Sequence, residues 1–228
     1  MLDRLLSQID KYPFDFISHF FLLLPVLFCV IRREFLDKIL LCVGLYFFIR
    51  FLEESVLLYY VLHKKSTISL QKGLLAIDTL IVAELFYLAL KQRYVARQVG
   101  ISLALITVFI TIITYIYSQY SFINASLFRA LIIFFAIAYF NKILAENRVL
   151  RIVNHAMFWV SAGFLIYGMG TFMTSLFTDY LLDPTITSDQ TFDLFWNMSQ
   201  FLSVIQCVLV SIGLWVSKFD RENYIQPI

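Results

Sequence analysis

Six charged side chains lie inside long apolar stretches of this sequence, and their types and spacing could support chemistry. They are Arg50, Glu53, Glu54, Asp78, Glu84 and Arg129. A charge inside a membrane is costly and usually faces other helices as one member of a pair. Arg50 precedes Glu53 and Glu54 by three and four residues, a spacing that places all three on one helix face. Four acids face two arginines, so two negative charges are left over if all six ionise.

The overall composition indicates a membrane protein. Of 228 residues, 61% are hydrophobic and only 15% are charged, and the mean hydropathy is +0.80. A soluble domain is typically about 25% charged. The net charge of +2 is too small to indicate nucleic-acid binding. The lipid bilayer is therefore the expected partner of most of the surface.

Seven apolar segments are long enough to cross a bilayer, which takes roughly 20 residues of helix. They are Phe14–Ile31, Lys38–Leu62, Lys72–Leu90, Val99–Tyr117, Asn124–Leu144, Ala156–Thr178 and Phe192–Val216. Backbone groups in lipid must bond within their own segment, so the spans are expected to be helices. The predicted fold is a single all-α bundle of seven transmembrane helices without a soluble domain.

The distribution of Lys and Arg predicts the orientation. Eleven lie on one side of the seven spans and five on the other, and the richer side is expected to be cytoplasmic. The N-terminus is then outside and the C-terminus inside. The start of the chain lacks the basic stretch of a secretory signal, so the first span is expected to be retained. The predicted location is the cytoplasmic (inner) membrane.

Depth within the membrane follows from the helix rise of about 1.5 Å per residue. Counted from the predicted outer ends, Arg50 and Glu84 both lie roughly 18 Å deep, near mid-membrane, so the two could meet. The other four charges form a layer in the outer half, at roughly 8 to 14 Å. They are Glu53, Glu54, Asp78 and Arg129.

Three interpretations of these charges are open. They are structural pairs between helices, or they reach up to the membrane surface, or they line a cavity open to the outer side. Such a cavity would bind a polar or cationic ligand, or protons, because carboxylates without a full set of counter-charges attract them.

The sequence gives little support for a metal, disulfide, nucleophile or retinal site. Cys29, Cys42 and Cys207 lie in apolar runs and form neither a disulfide framework nor a metal site. The three histidines are divided between the two sides, no nucleophile motif occurs, and no cofactor is indicated. A retinal protein needs a lysine in the middle of its last span, whereas Lys218 lies at the end of span 7.

Several glycine, proline and tryptophan residues allow predictions about helix packing and position. Gly163 and Gly170 lie on one face of span 6 and permit close approach of another helix, within the chain or in a homodimer. Pro25 is expected to kink span 1. Trp196 lies near a span end, where indoles typically form an interfacial belt. Alternatively, Trp196 and Asn197 face the outer cavity.

Three stretches are similar to an uncharacterised family of small bacterial seven-span membrane proteins. They are Asp78–Tyr87 (DTLIVAELFY), Met157–Tyr167 (MFWVSAGFLIY) and Phe195–Asn197 (FWN). The family resembles stand-alone sensory modules that work beside separate signalling kinases. The resemblance implies a role class without a mechanism, and it singles out the residues Glu84, Trp159, Gly163, Tyr167 and Trp196.

These observations favour a non-enzymatic sensory or receptor-like module that binds a small polar or lipid-derived ligand from outside. The tail after span 7 is about twelve residues long, so the signal is expected to leave through a separate kinase or regulator. The predicted docking residues are Arg93, Arg97, Arg148 and Arg151. The alternative for these arginines is that they are only topology determinants. The alternatives are a small transporter with a switchable Arg50–Glu84 pair and an intramembrane lipid enzyme.

Overall fold

The computed structural model describes residues 9, 12–116, 123–146, 151–181 and 185–220, which form helices and contain no strand. The helices are α1 (Pro13–Phe21), α2 (Leu23–Ile31), α3 (Lys38–Leu62), α4 (Ile68–Ala89), α5 (Tyr94–Ile116), α6 (Ile123–Glu146), α7 (Ala156–Leu176), α8 (Thr178–Leu181) and α9 (Asp189–Asp220). The all-α prediction is confirmed for these residues.

Five helical segments are long and apolar enough to cross a membrane: α1 together with α2, and then α5, α6, α7 and α9. The remaining long helices, α3 and α4, have 25 and 22 residues. Each carries three charged residues within any membrane-spanning stretch, and these lower its hydropathy. Large apolar side chains such as Phe20 and Phe109 are exposed on the bundle surface, as lipid contact requires. The chain is a multi-pass membrane protein by these criteria.

The first span is interrupted where the proline predicts. Leu22 separates α1 from α2 as a turn, and Pro25 lies three residues later. Proline has no N–H to donate to the carbonyl of Phe21, four residues earlier, so the helical hydrogen-bond ladder is broken at this point. The expected kink is therefore realised as a short break between two helical segments.

Helices α7 and α9 form the closest pair in the bundle. A Cβ on Gly163 would lie 3.2 Å from the carbonyl oxygen of Gln206, and one on Gly213 would lie 2.7 Å from that of Ala156. Gly170 meets the side chain of Leu202 in the same interface. The close approach predicted at Gly163 and Gly170 is thus made by α9 of the same chain.

A dry aromatic cluster fills the centre of the bundle on one side of Arg50. Phe164 on α7 is fully buried, with its ring centroid 5.5 Å from that of Tyr46 and 5.9 Å from that of Phe86. Phe86 in turn stacks on Phe135 of α6 at 5.0 Å. We call this part, towards the beginnings of α3 and α7, the closed half.

Candidate functional site

Arg50 of α3 is the centre of an ion-pair network inside the bundle. Its Nη1 donates to Asp78 Oδ2 of α4 at 3.0 Å and to Glu53 Oε2 at 3.3 Å, and its Nη2 donates to Glu54 Oε1 at 3.0 Å. Glu53 and Asp78 are buried, at 5% and 2% exposure. Three carboxylates therefore share one guanidinium, and α3 is joined to α4 as the sequence predicts.

Arg129 of α6 is not part of this ion-pair network. Its Nη2 donates to the hydroxyl of Tyr167 at 2.9 Å, and its guanidinium carbon lies 4.6 Å from the centre of that ring. Its Nε is buried without a hydrogen-bond partner. Among the described residues it forms no ion pair with a carboxylate. Arg129 therefore retains bonding capacity for a further acceptor.

A cavity of about 460 Å³ lies beside both arginines. Its walls come from α1, α3, α4, α6, α7, α8 and α9. All these helices contribute residues near the end at which α1 begins and α3 ends. We call this part of the bundle the cavity half.

The cavity walls are amphiphilic. The polar wall includes Arg50, Glu54, Arg129, Thr171, Ser199 and Gln200. The apolar wall includes Leu22, Leu57, Leu58 and Val61. A volume of this size is in the range typical of small-molecule sites, which combine apolar surface with a few polar groups.

Two of the predicted cavity residues lie behind its wall. Glu53 and Asp78 do not line the cavity, whereas Glu54 and Arg129 do. Glu53 follows Arg50 by three residues on the same helix, and Asp78 approaches the guanidinium from α4. Both side chains are consequently covered by the arginine that they bind.

The predicted pairing of Arg50 with Glu84 is wrong. Glu84 is exposed and has no ion pair among the described residues, while Asp78 takes the place expected for it. Helix α4 begins at Ile68 rather than Lys72, so every residue on it lies one turn deeper than the predicted boundary implied. Glu84 is about 9 Å further along α4 than Asp78 and on a different face.

Trp196 takes the second of its two predicted positions. It lines the cavity together with Ser199, Gln200 and Ser203 of α9, a spacing that places all four on one helix face. Asn197 is half-buried and does not line the cavity, because one residue along a helix rotates the side chain by about 100°. The prediction for Asn197 is wrong in this respect.

Helix α1 supplies polar groups that the sequence reasoning missed. Asp15 Oδ1 accepts a hydrogen bond from Trp196 Nε1 at 2.7 Å, and Ser18 Oγ donates to Gln200 Oε1 at 2.6 Å. His19 stacks on Phe51 with ring centroids 4.6 Å apart. All three α1 residues line the cavity. Their spacing of three and four residues in an apolar segment was the available signal.

The described residues form neither a candidate metal site nor a disulfide. In residues 12–116, 123–146, 151–181 and 185–220, no three His, Cys, Asp or Glu side chains are grouped to hold a metal ion. Cys29, Cys42 and Cys207 are free thiols. The arrangement can instead form hydrogen bonds and ion pairs with a bound molecule.

No family model, curated protein or solved structure matches this chain. The resemblance to the small bacterial seven-span family stays a prediction. Of the residues that it singles out, Tyr167 binds Arg129, Gly163 packs against α9 and Trp196 lines the cavity. Trp159 instead donates to the carbonyl oxygen of Val153, 2.8 Å away.

Proposed function

We propose that this protein is a non-enzymatic sensory or receptor-like module of the cytoplasmic membrane that binds a small amphiphilic ligand from the outer side. In this proposal α3 and α4 also cross the membrane, giving seven spans, with the N-terminus outside. The cavity half then faces outwards. The observation that carries the proposal is the amphiphilic cavity beside Arg50 and Arg129.

The walls of the cavity support a ligand that is both polar and apolar. Hydroxyl and amide groups from α7 and α9 form one part of the wall, and leucine and valine side chains of α3 form another. The Arg129 guanidinium and the Gln200 amide lie among the lining side chains, and a few such polar groups fix the orientation of a ligand in an otherwise apolar site.

The closed half supports a receptor over a carrier. Phe47, Phe86 and Phe164 are each at most 1% exposed and meet at the bundle centre. A carrier must open this region to the other side, and the close-packed interface of α7 with α9 at Gly213 resists that movement. A proton-coupled carrier remains the second candidate, because Arg50 with its three carboxylates resembles the charge clusters on which such carriers depend.

A partner is proposed at the opposite face. Arg93, Arg97 and Arg151 lie near the ends of α4, α5 and α7 that adjoin the closed half, and Arg148 lies outside the described residues. Arg97 is held over the ring of Tyr87 at 4.8 Å. A separate kinase or regulator with an acidic surface would dock there.

The first experiment tests the opening of the cavity. Ser199→Cys places a thiol in the cavity wall, and Met198→Cys places one on the exposed lipid-facing side of the same helix. A membrane-impermeant maleimide added to intact cells should label only the first. Labelling of Ser199→Cys only in inverted vesicles would reverse the proposed orientation. Labelling of neither variant in either preparation would contradict an open cavity.

The second experiment separates the receptor from the carrier. Purified protein in proteoliposomes under a pH gradient should produce no substrate-specific flux, whereas a carrier sustains it. The tagged protein should copurify with a signalling kinase or regulator, and Arg93→Gln with Arg97→Gln should weaken that association. Sustained flux without a copurifying regulator would favour the second candidate.

A further inference from the structure

Two charged groups on the cavity wall lack a partner of opposite sign. Among the described residues, the Arg129 guanidinium bonds only to the Tyr167 hydroxyl, and the Asp15 carboxylate bonds only to the Trp196 indole. Arg50 and Glu54, the other charged residues of the described wall, are bonded to each other at 3.0 Å. One carboxylate and one guanidinium of this wall are thus without an ion pair.

A ligand that fills the cavity displaces the water that solvates these two groups. A purely anionic ligand would pair with Arg129 and leave the Asp15 carboxylate without water or a counter-charge. A purely cationic ligand would do the reverse. Because an unpaired charge in a dry site is strongly unfavourable, the wall favours a ligand that carries both signs.

Arg50 does not compete for the anionic group. It already donates to three carboxylates, so an incoming anion would meet their negative charge as well as the guanidinium. Arg129 places a planar guanidinium in the cavity wall, and guanidinium groups recognise carboxylates and phosphates well. The anionic group is therefore expected at Arg129.

The ammonium group is expected nearer the end of the bundle. Asp15 is two residues from the start of α1 and Arg129 is six residues from the start of α6, which corresponds to depths of about 3 and 9 Å. The Trp196 ring beside Asp15 adds a π-face, and aromatic faces attract ammonium groups. Leu57, Leu58 and Val61 provide apolar wall for a chain.

We infer that the cavity binds a zwitterion with an apolar body, with its ammonium group at Asp15 and Trp196 and its anionic group at Arg129. The inference rests on the proposed ligand-binding function and names the ligand class. Single-chain lipids with a phosphate–ammonium head group and free apolar amino acids share this chemistry. The cavity volume favours the former, since an amino acid would leave much of it empty.

Calorimetric titration of the protein in nanodiscs, with protein-free nanodiscs as the blank, tests the head group directly. The probes are n-octylphosphocholine, octanoate and octyltrimethylammonium, which have the same chain, together with L-leucine. We expect octylphosphocholine to bind at least about tenfold more tightly than either singly charged probe, since two charge-assisted contacts replace one. Leucine binding weaker than that of octylphosphocholine assigns the site to lipids, and the reverse order assigns it to amino acids.

Substitutions of Arg129 and Asp15 test which charged group of the ligand each of these residues binds. Arg129→Gln should weaken the binding of octylphosphocholine and octanoate about tenfold and leave the binding of octyltrimethylammonium unchanged. Asp15→Asn should weaken the binding of octyltrimethylammonium and leave the binding of octanoate unchanged. Arg32→Gln is the matched arginine control, since Arg32 lies outside the cavity wall and its guanidinium also lies over an aromatic ring, that of Trp215, at 3.7 Å. Asp189→Asn, on the exposed start of α9, is the carboxylate control.

The outcomes separate the inference from the function on which it rests. If the three octyl probes bind the unsubstituted protein equally, the zwitterion inference is overturned while a ligand cavity stands. If either singly charged probe binds more tightly than octylphosphocholine, the inference is also overturned. If none of the four probes binds, the proposed function fails as well. The comparison of probes requires no variant, so poor folding of Arg129→Gln would not prevent the test.

Discussion

The two halves of the bundle use the same helices for opposite purposes. In the closed half, aromatic rings and glycines allow α4, α6, α7 and α9 to pack without space between them. In the cavity half, the same helices carry hydroxyl, amide and charged side chains that surround about 460 Å³ of open volume. Close packing is thus concentrated in the closed half, whereas the cavity half carries polar groups around open space, and we expect stability to follow the packing.

The Arg50 network lies at the boundary of the two halves, and its loss should have the largest effect. Arg50→Met leaves Glu53, Glu54 and Asp78 together without a cation, and breaking a buried pair in this way costs about 3–5 kcal/mol. Unfolding in mixed micelles with increasing dodecyl sulfate measures this loss. Adding Glu53→Gln and Asp78→Asn should recover part of the stability, because the uncompensated acids are then removed. A loss below about 1 kcal/mol would indicate solvated, independent charges.

Equal truncations in the two halves should differ strongly. Phe164→Ala removes a ring that is 0% exposed and contacts three other aromatic rings, and the cavity it leaves should cost about 3 kcal/mol. Phe16→Ala removes a half-buried ring from the cavity wall, where space already exists, and should cost less than about 1 kcal/mol. Both are measured by the same micellar unfolding. Similar losses would remove the contrast between a packed half and an open one.

Glycine substitutions in the α7–α9 interface compare a contact with rigid backbone and a contact with a flexible side chain. A Cβ on Gly213 meets a backbone carbonyl at 2.7 Å, whereas one on Gly170 meets the flexible end of the Leu202 side chain. Gly213→Ala should therefore cost about 1–3 kcal/mol, since backbone must move, and Gly170→Ala should cost less. The measurement is the same, with Gly73→Ala as the control because a Cβ there has open space. A larger loss at Gly170 than at Gly213 would contradict a rigid closed half.

Much of the helical architecture could be predicted because lipid imposes a simple rule on sequence. The predicted span Lys38–Leu62 coincides with α3, and Pro25 marked the break after α1. The start of α4 was misplaced because Ser69, Gln71 and Lys72 interrupt the apolar pattern of its first turns, so the uninterrupted apolar run begins only after Lys72. That single turn moved Glu84 to the wrong depth.

The candidate site could be predicted only where charge marked it. Arg50, Glu54 and Arg129 stand out in apolar segments, and all three line the cavity. Asp15 and Ser18 were missed, since each is one polar residue near a span end, where polar residues are common. Their bonds to Trp196 and Gln200 of α9 depend on how two distant segments pack, and spacing within one segment carries no information about that.

The smallest difference in stability between the two halves is expected when one hydrogen-bonded side chain is changed at each end of the bundle. In the closed half, Asp220 bonds to His155 Nδ1 at 2.8 Å and accepts from the backbone N–H of Ala156 at 3.2 Å. Asp220→Asn loses one of its two acceptor oxygens and should cost about 1 kcal/mol. In the cavity half, Ser18→Ala removes the bond to Gln200, whose amide can turn to water, and a longer bond within α1 to the backbone carbonyl of Asp15. Its cost should therefore be smaller. The rate of amide hydrogen exchange near the end of α9 should rise for Asp220→Asn and stay unchanged for Ser18→Ala. Equal rates in the two variants would mean that Asp220 does not hold α9 against α7.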